Sequence, residues 1–414
     1  MGRNNASAVA TFLAVILATV NFGCGGVANT SSNSGGNGGS GSNGSSNPTI
    51  VDTVAAGTAP NALALDTTNN KIYVANSGDF TGPECFFEAG GITEIDGATN
   101  SATTVSTAGP GAPFPYAISF NSATGTLYLL SRARFIVGYG CLYPSTLSGY
   151  NATTLSAIGT IASGQQGAIG MGVDSANNTL YVENHGAGEI EVVDGAANTL
   201  TGTIPIAVGV GWYMALDSIR NKIYVTGDGL SIIDIATNAV TTLNDPNATN
   251  PTEEVAVNTT TNKIYVCNSS SNNISVFDGA TNSVTTITDP NAISPSALAI
   301  NETANQIYVL NQGSNNVTAI DGATNSVTTV TAGTKPIAVD IDPVTNFVYV
   351  ANYGNPSTGD PGSITVINGA TNSTLTLTDP KATNPIAVAA NSVTNKVYVA
   401  NSGSNNVTVI DGGQ

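Results

Sequence analysis

The sequence predicts an all-β fold: an eight-bladed β-propeller of four-stranded antiparallel blades, closed by its own N-terminal strand. Three observations carry that expectation. A phrase of the type Lys71-Ile72-Tyr73-Val74-Ala75-Asn76 recurs along the chain, with its tyrosines at Tyr73, Tyr128, Tyr181, Tyr224, Tyr265, Tyr308, Tyr349 and Tyr398. The intervals between them are 55, 53, 43, 41, 43, 41 and 49 residues, a period that suits a four-stranded blade. Composition agrees: 46 glycines and only 9% charged residues fit many short strands and tight turns, not long helices.

Taken in chain order, residues 1–24 read as an export signal. Arg3 supplies a positive start, and Ala8–Val20 is an apolar run too short to span a bilayer. Gly23-Cys24 matches the end of a bacterial lipoprotein cleavage box, whereas Asn21 and Phe22 depart from it, so lipidation of Cys24 stands beside simple secretion. Residues 25–48 are almost entirely Gly, Ser and Asn, which bury too little apolar surface to offset ordering entropy and make a flexible tether. The propeller occupies residues 49–414. The expected location is extracytoplasmic: secreted, periplasmic or on a bacterial surface, with membrane contact only through a lipid anchor.

Each repeat contains four strands, clearest between Glu253 and Asp289. Strand A is Glu254–Asn258, a position that proline opens in other repeats (Pro295, Pro336, Pro385) because the first residue of a strand need not donate to the ladder. Strand B is Lys263–Asn268, almost wholly apolar because both faces of a blade pack on neighbours. Strand C is Ile274–Phe277, closed by Asp278-Gly279-Ala280-Thr281-Asn282, a turn rich in residues that tolerate positive φ. Strand D, Ser283–Ile287, is Thr-rich as suits a half-exposed rim. The last repeat stops after strand C at Gly412, and an orphan strand-D segment, Thr49–Ala55, precedes the first repeat. Joining the two removes two open edges and seals the ring. Blade 2 is the most degraded repeat; without it the count would be seven.

These repeats resemble the YVTN family of β-propeller repeats. The resemblance rests on Tyr73-Val74-Ala75-Asn76, Tyr265-Val266-Cys267-Asn268, Tyr349-Val350-Ala351-Asn352 and Tyr398-Val399-Ala400-Asn401, with the Asp-Gly-Ala-Thr-Asn turns that follow, and spans residues 49–414. It implies a bacterial extracytoplasmic or cell-surface propeller, usually without an assigned activity. Seven blades are familiar in that family, so eight is a departure.

Function is less legible. A net charge of −17, with 27 acidic against 10 basic residues, repels phosphate backbones and argues against nucleic acid as a partner. Blades 5 to 8 are monotonous, so deviations elsewhere mark the candidate site. Long B–C connections at 77–91, 131–145 and 353–362 crowd one arc of the face shared with the D–A connections. Cys85 and Cys141 lie in the first two, and export favours a disulfide between them. Arg132 and Arg134, Glu183 and His185, Trp212, Tyr213 and Tyr116 would bring cations, a carboxylate and aromatics to the same mouth. That set suits an anionic or sugar-like ligand, whereas the bland alternative is an ion pair of Arg132 with Glu183 between blades. Cys267 reads as a small buried hydrophobe.

A zinc site is disfavoured with one histidine in the chain. Calcium is conceivable at Asp79, Glu84, Asp360 or the repeated Asp-Pro loops at Asp245, Asp289 and Asp379, though such aspartates more often begin turns. No nucleophile elbow or phosphate-cradling loop is present, so no catalytic residue and no cofactor is assigned. The expected function is a surface or secreted binding module, for a protein, glycan or small-molecule ligand on the long-loop face. The alternatives are a lactonase- or lyase-like propeller enzyme using Glu183, His185 and Arg132, and a structural envelope protein.

Overall fold

A computed structural model describes residues 46–78, 90–107, 114–132, 134–136, 141–143, 145–165, 168–206, 213–249 and 253–413. The signal segment, Cys24 and the tether up to residue 45 lie outside them. Eight four-stranded antiparallel sheets follow one another along the chain. Their inner strands (A) are Pro60–Asp66, Phe114–Asn121, Ala168–Asp174, Met214–Asp217, Val255–Asn258, Pro295–Asn301, Pro336–Asp342 and Pro385–Asn391. Each inner strand packs against the next, and the eighth packs against the first, so the ring is closed.

Blade 8 is composite. Thr49–Ala55 pairs antiparallel with Asn406–Asp411, supplying the fourth strand to Pro385–Asn391, Lys396–Asn401 and Asn406–Asp411. Blade 2 is a true blade, Phe114–Asn121, Thr126–Arg132, Ser145–Asn151 and Ala157–Gln165, which rules out the seven-bladed count. Its long B–C connection carries a small extra hairpin, Arg134–Ile136 with Cys141–Tyr143.

Burial follows the alternation that a radial blade imposes. Strand B is buried along nearly its whole length, as in Ile264–Asn268, because each face meets a neighbouring blade. Strand D is mostly exposed, as in Ala102–Ser106. All eight repeat tyrosines are buried, and several hydroxyls reach the next blade. Tyr73 donates to the Ala152 carbonyl at 3.2 Å, Tyr128 to Gly195 at 3.3 Å and Tyr349 to Gly412 at 2.9 Å. In blades 5 and 8 a lysine two residues before the tyrosine takes that carbonyl instead. Lys263 Nζ lies 2.9 Å from the Gly322 oxygen and Lys396 Nζ 2.6 Å from the Gly97 oxygen, leaving the Tyr265 and Tyr398 hydroxyls without a partner.

The A–B turns show why asparagine recurs there. Asn70, Asn178, Asn221, Asn262, Asn305, Asn346 and Asn395 all adopt left-handed backbone, φ between 50° and 57°, a region asparagine tolerates. Four of them also accept from an asparagine ending the preceding blade's inner strand: Asn121 to Asn178, Asn258 to Asn305, Asn301 to Asn346 and Asn391 to Asn70. The last of these crosses the point of closure.

Candidate functional site on the B–C face

The B–C and D–A connections share one face, and hydrogen bonds tie them across blades. Asn405 Oδ1, on the blade 8 B–C turn, accepts from Ala59 N–H at the start of blade 1 (2.9 Å). Asn272 does the same for Ser294 and Asn315 for Lys335, each at 2.8 Å. Ala59, Ser294, Lys335 and Asn384 all have positive φ, 51° to 56°, directly before a proline. Three of these are residue types for which that region is strained, so the neighbouring blade's asparagine holds the conformation in place. The long connection after strand B of blade 7 is fully described: Asn355 caps a short 3-10 turn, Pro356–Thr358, and bridges to Asp360. The Lys335 ammonium sits 4.7 Å from the centre of the Tyr353 ring, a cation–π contact on this rim.

Of the residues expected from sequence, those described lie at different depths. Glu183 is fully buried in strand B of blade 3, at the position that Cys267 fills in blade 5. Gly170 of the neighbouring strand lies beside it, where an added Cβ would be in ordinary contact, 3.9 Å from Glu183 Cβ and 3.5 Å from Met214 Cγ of blade 4. His185 is part-exposed on the turn that follows. Tyr116 and Tyr213 are both buried, in separate hydrophobic clusters, the first with blades 2 and 3 and the second with blades 4 to 7. Arg132 and Arg134 are placed by their backbone, Arg132 opposite Phe114 and Arg134 opposite Tyr143. Their side chains, with Trp212 and Cys85, lie outside the described residues, as does the side chain of Cys141.

The Asp-Pro loops do begin turns, and they also clamp blades together. Asp289 accepts the Asn291 N–H at 2.9 Å and, from blade 6, the hydroxyls of Thr318 (2.8 Å) and Thr329 (2.9 Å). Asp245 accepts from Ser275 and Thr286 of blade 5 in the same way. Asp379 accepts from Thr408 and from Thr53, the latter on the N-terminal strand, so this clamp locks the closure. Where the connection is Ala-Gly-Thr instead, a glycine N–H meets the equivalent hydroxyl: Gly57 to Thr93 at 3.1 Å and Gly333 to Thr365 at 3.2 Å. With their oxygens engaged by hydroxyl and amide donors, the three aspartates have a structural occupation. Among the described residues no group of three or more His, Cys, Asp or Glu side chains is arranged to hold a metal.

The last residue of the repeated phrase feeds the same network. Asn311 Nδ2 donates to Asn316 Oδ1 (2.8 Å) and Thr318 Oγ1 (2.9 Å); Asn268, Asn352 and Asn401 repeat the arrangement with their own strand-C partners. Their Oδ1 atoms, and that of Asn76, are buried without a hydrogen-bond donor. Each such acceptor costs about 1–3 kcal/mol if left so.

Three further acids sit on the inner strands or at their start. Glu254 accepts from Leu298 N–H of blade 6 at 3.3 Å, and burial beside Glu253 pushes its carboxyl up to about 8. Glu253, also raised by burial, accepts from Ser269 Oγ at 3.0 Å. Asp340 is buried and accepts from Ala390 N–H of blade 8 at 2.6 Å; burial holds its carboxyl well above the usual range. The Cys267 thiol is likewise pushed up by burial and the nearby glutamates, which keeps it protonated and unreactive. For Glu254 and Asp340 the signal available in the sequence was an acid where blade 6 carries Ala297 and Ala299.

No protein-family model matches the chain, and no curated protein matches it. What the architecture defines is a class: a closed eight-bladed β-propeller whose A–B connections are short turns and whose B–C connections differ in length from blade to blade. Propellers of this kind serve as binding modules and as enzymes, so the fold alone does not decide between them.

Proposed function

We propose that the protein is a binding or interaction module without catalysis, working outside the cytoplasm as a YVTN-type repeat protein. The observation that carries this reading is the asymmetry between the two faces. The A–B turns are short and repeat one asparagine geometry round most of the ring. The B–C and D–A face carries the long connections, the strained pre-proline residues and the Lys335–Tyr353 pair. Loops held on a rigid ring are where recognition residues are normally carried. The export-type N-terminus, the Gly/Ser/Asn tether and Cys24 as a lipid attachment point support an extracytoplasmic place.

The partner is a protein, glycan or small molecule meeting the B–C face. Binding of the full chain to glycan arrays and to extracellular protein fractions tests this, with Tyr353→Ala and Lys335→Ala as variants on the described rim. Loss of a saturable interaction in these variants, with unchanged stability, supports the reading. Retention of all binding in both variants, or turnover of a lactone or polyuronate that His185→Ala abolishes, rejects it in favour of another surface or of the enzyme.

A further inference from the structure

We infer that five ordered internal waters are bound on one arc of the ring, one at the strand-B asparagine of blades 1, 5, 6, 7 and 8. The asparagines are Asn76, Asn268, Asn311, Asn352 and Asn401, each almost wholly buried, with an Oδ1 that meets no donor. Turning the amide over does not relieve this. In blade 6 both Nδ2 hydrogens are committed to Asn316 Oδ1 and Thr318 Oγ1, and Thr318 gives its own hydrogen to Asp289. Blade 8 has the same chain through Asn406, Thr408 and Asp379. A flipped amide would set carbonyl against Asn Oδ1 in blades 5, 6 and 8, and against the Val74 and Gly91 carbonyls in blade 1, so in these four the orientation is fixed by the network.

The protein cannot readily supply the missing donor. In blades 1, 6, 7 and 8 the residue across the ladder is Pro60, Pro295, Pro336 or Pro385, which has no N–H. Five unmet buried acceptors would together cost as much as the whole stability of a typical domain, and a small donor reaching each one removes that cost. Water is the ligand that fits: it donates, it is small, and it leaves the clamp intact. The remaining blades provide an internal contrast. Asn184 of blade 3 has its Oδ1 met by Ala187 N–H at 3.4 Å, and blades 2 and 4 place Ser131 and Gly227 at this position. The waters therefore belong to the contiguous arc of blades 5, 6, 7, 8 and 1.

A crystal structure of the full chain, at a resolution that orders internal solvent, tests this directly. A solvent peak about 2.7–3.2 Å from Oδ1 at three or more of the five asparagines, and none at Asn184 Oδ1, is the expected result. Peaks at two or fewer, a protein N–H donor occupying those oxygens, or an equal peak at Asn184, would overturn it.

Discussion

Replacing Glu254 with glutamine should remove a large, separable part of the pH dependence of stability on the alkaline side. The carboxyl lies at the start of the blade 5 inner strand, against the Leu298 N–H of blade 6, and titrates near 8 in place of its ordinary 4.5. Between those values the folded protein keeps a proton that the unfolded chain has released. Its stabilising contribution is therefore complete below pH 4.5 and is lost as pH rises through about 8. At 1.36 kcal/mol per pH unit the interval sets a ceiling of roughly 5 kcal/mol. Asp340, also raised by burial, acts in the same direction. At the acid end the sign reverses: Lys71 holds Asp96 down to about 2, so that contribution is lost as pH falls below the ordinary aspartate range. The wild-type chain should be most resistant to urea near pH 4–5 and weaken steadily towards pH 8.5. Glu254→Gln retains an oxygen to accept from Leu298 N–H but has no proton to lose. It should match the wild type at pH 4.5 and exceed it at pH 8.5 by several kcal/mol, up to that ceiling. Parallel urea midpoints for the two proteins across this range would refute the argument.

Four further outcomes follow from the same geometry. Tyr349→Phe should cost about 1 kcal/mol in urea unfolding because its hydroxyl donates to Gly412, whereas Tyr265→Phe should cost almost nothing, since Lys263 already occupies the matching carbonyl. Equal costs for the two would show that the lysine competition is wrong. Asp379→Ala removes the acceptor shared by Thr53 and Thr408, and should destabilise by about 2–3 kcal/mol while exposing residues 46–57 to limited proteolysis ahead of the rest; uniform cleavage throughout the chain would contradict a role in closure. Cys267→Ala should leave thiol reactivity of the folded protein unchanged, because the buried thiol stays protonated; a drop in labelling with a thiol reagent would argue otherwise. Finally, a thiol count on denatured, unreduced protein should find Cys85 and Cys141 absent from the free pool, and their recovery as free thiols would reject the disulfide.

Much of the fold was legible because a repeat states its own period. The tyrosine spacing, the proline before strand A and the Asp-Gly turns are local features whose chemistry does not depend on neighbours. Even the composite blade 8 could be read, from a missing fourth strand at one end and a spare one at the other. Blade 2 was harder, since an inserted hairpin stretches its period and dilutes the repeat. The candidate site was less legible. Glu183 and His185 stand two positions apart in the chain, yet one is buried beside Gly170 and the other lies part-exposed on a turn. Alternation along a strand tells which residues share a face; it does not tell where the strand ends and the exposed turn begins.

By itself, then, the sequence determined the number of strands per unit and the turn chemistry that joins them, and narrowed the number of units to eight or seven; the sheet formed by blade 2 decided for eight. Partner choice was decided only by the tertiary structure. Whether Tyr265 or Lys263 bonds Gly322, whether Asp379 serves a turn or seals the ring, and whether Glu254 is charged all depend on the blade alongside. The physical reason is that these are contacts between repeats distant in sequence. Their strength is set by burial and by competition for a single donor or acceptor, neither of which a linear pattern records.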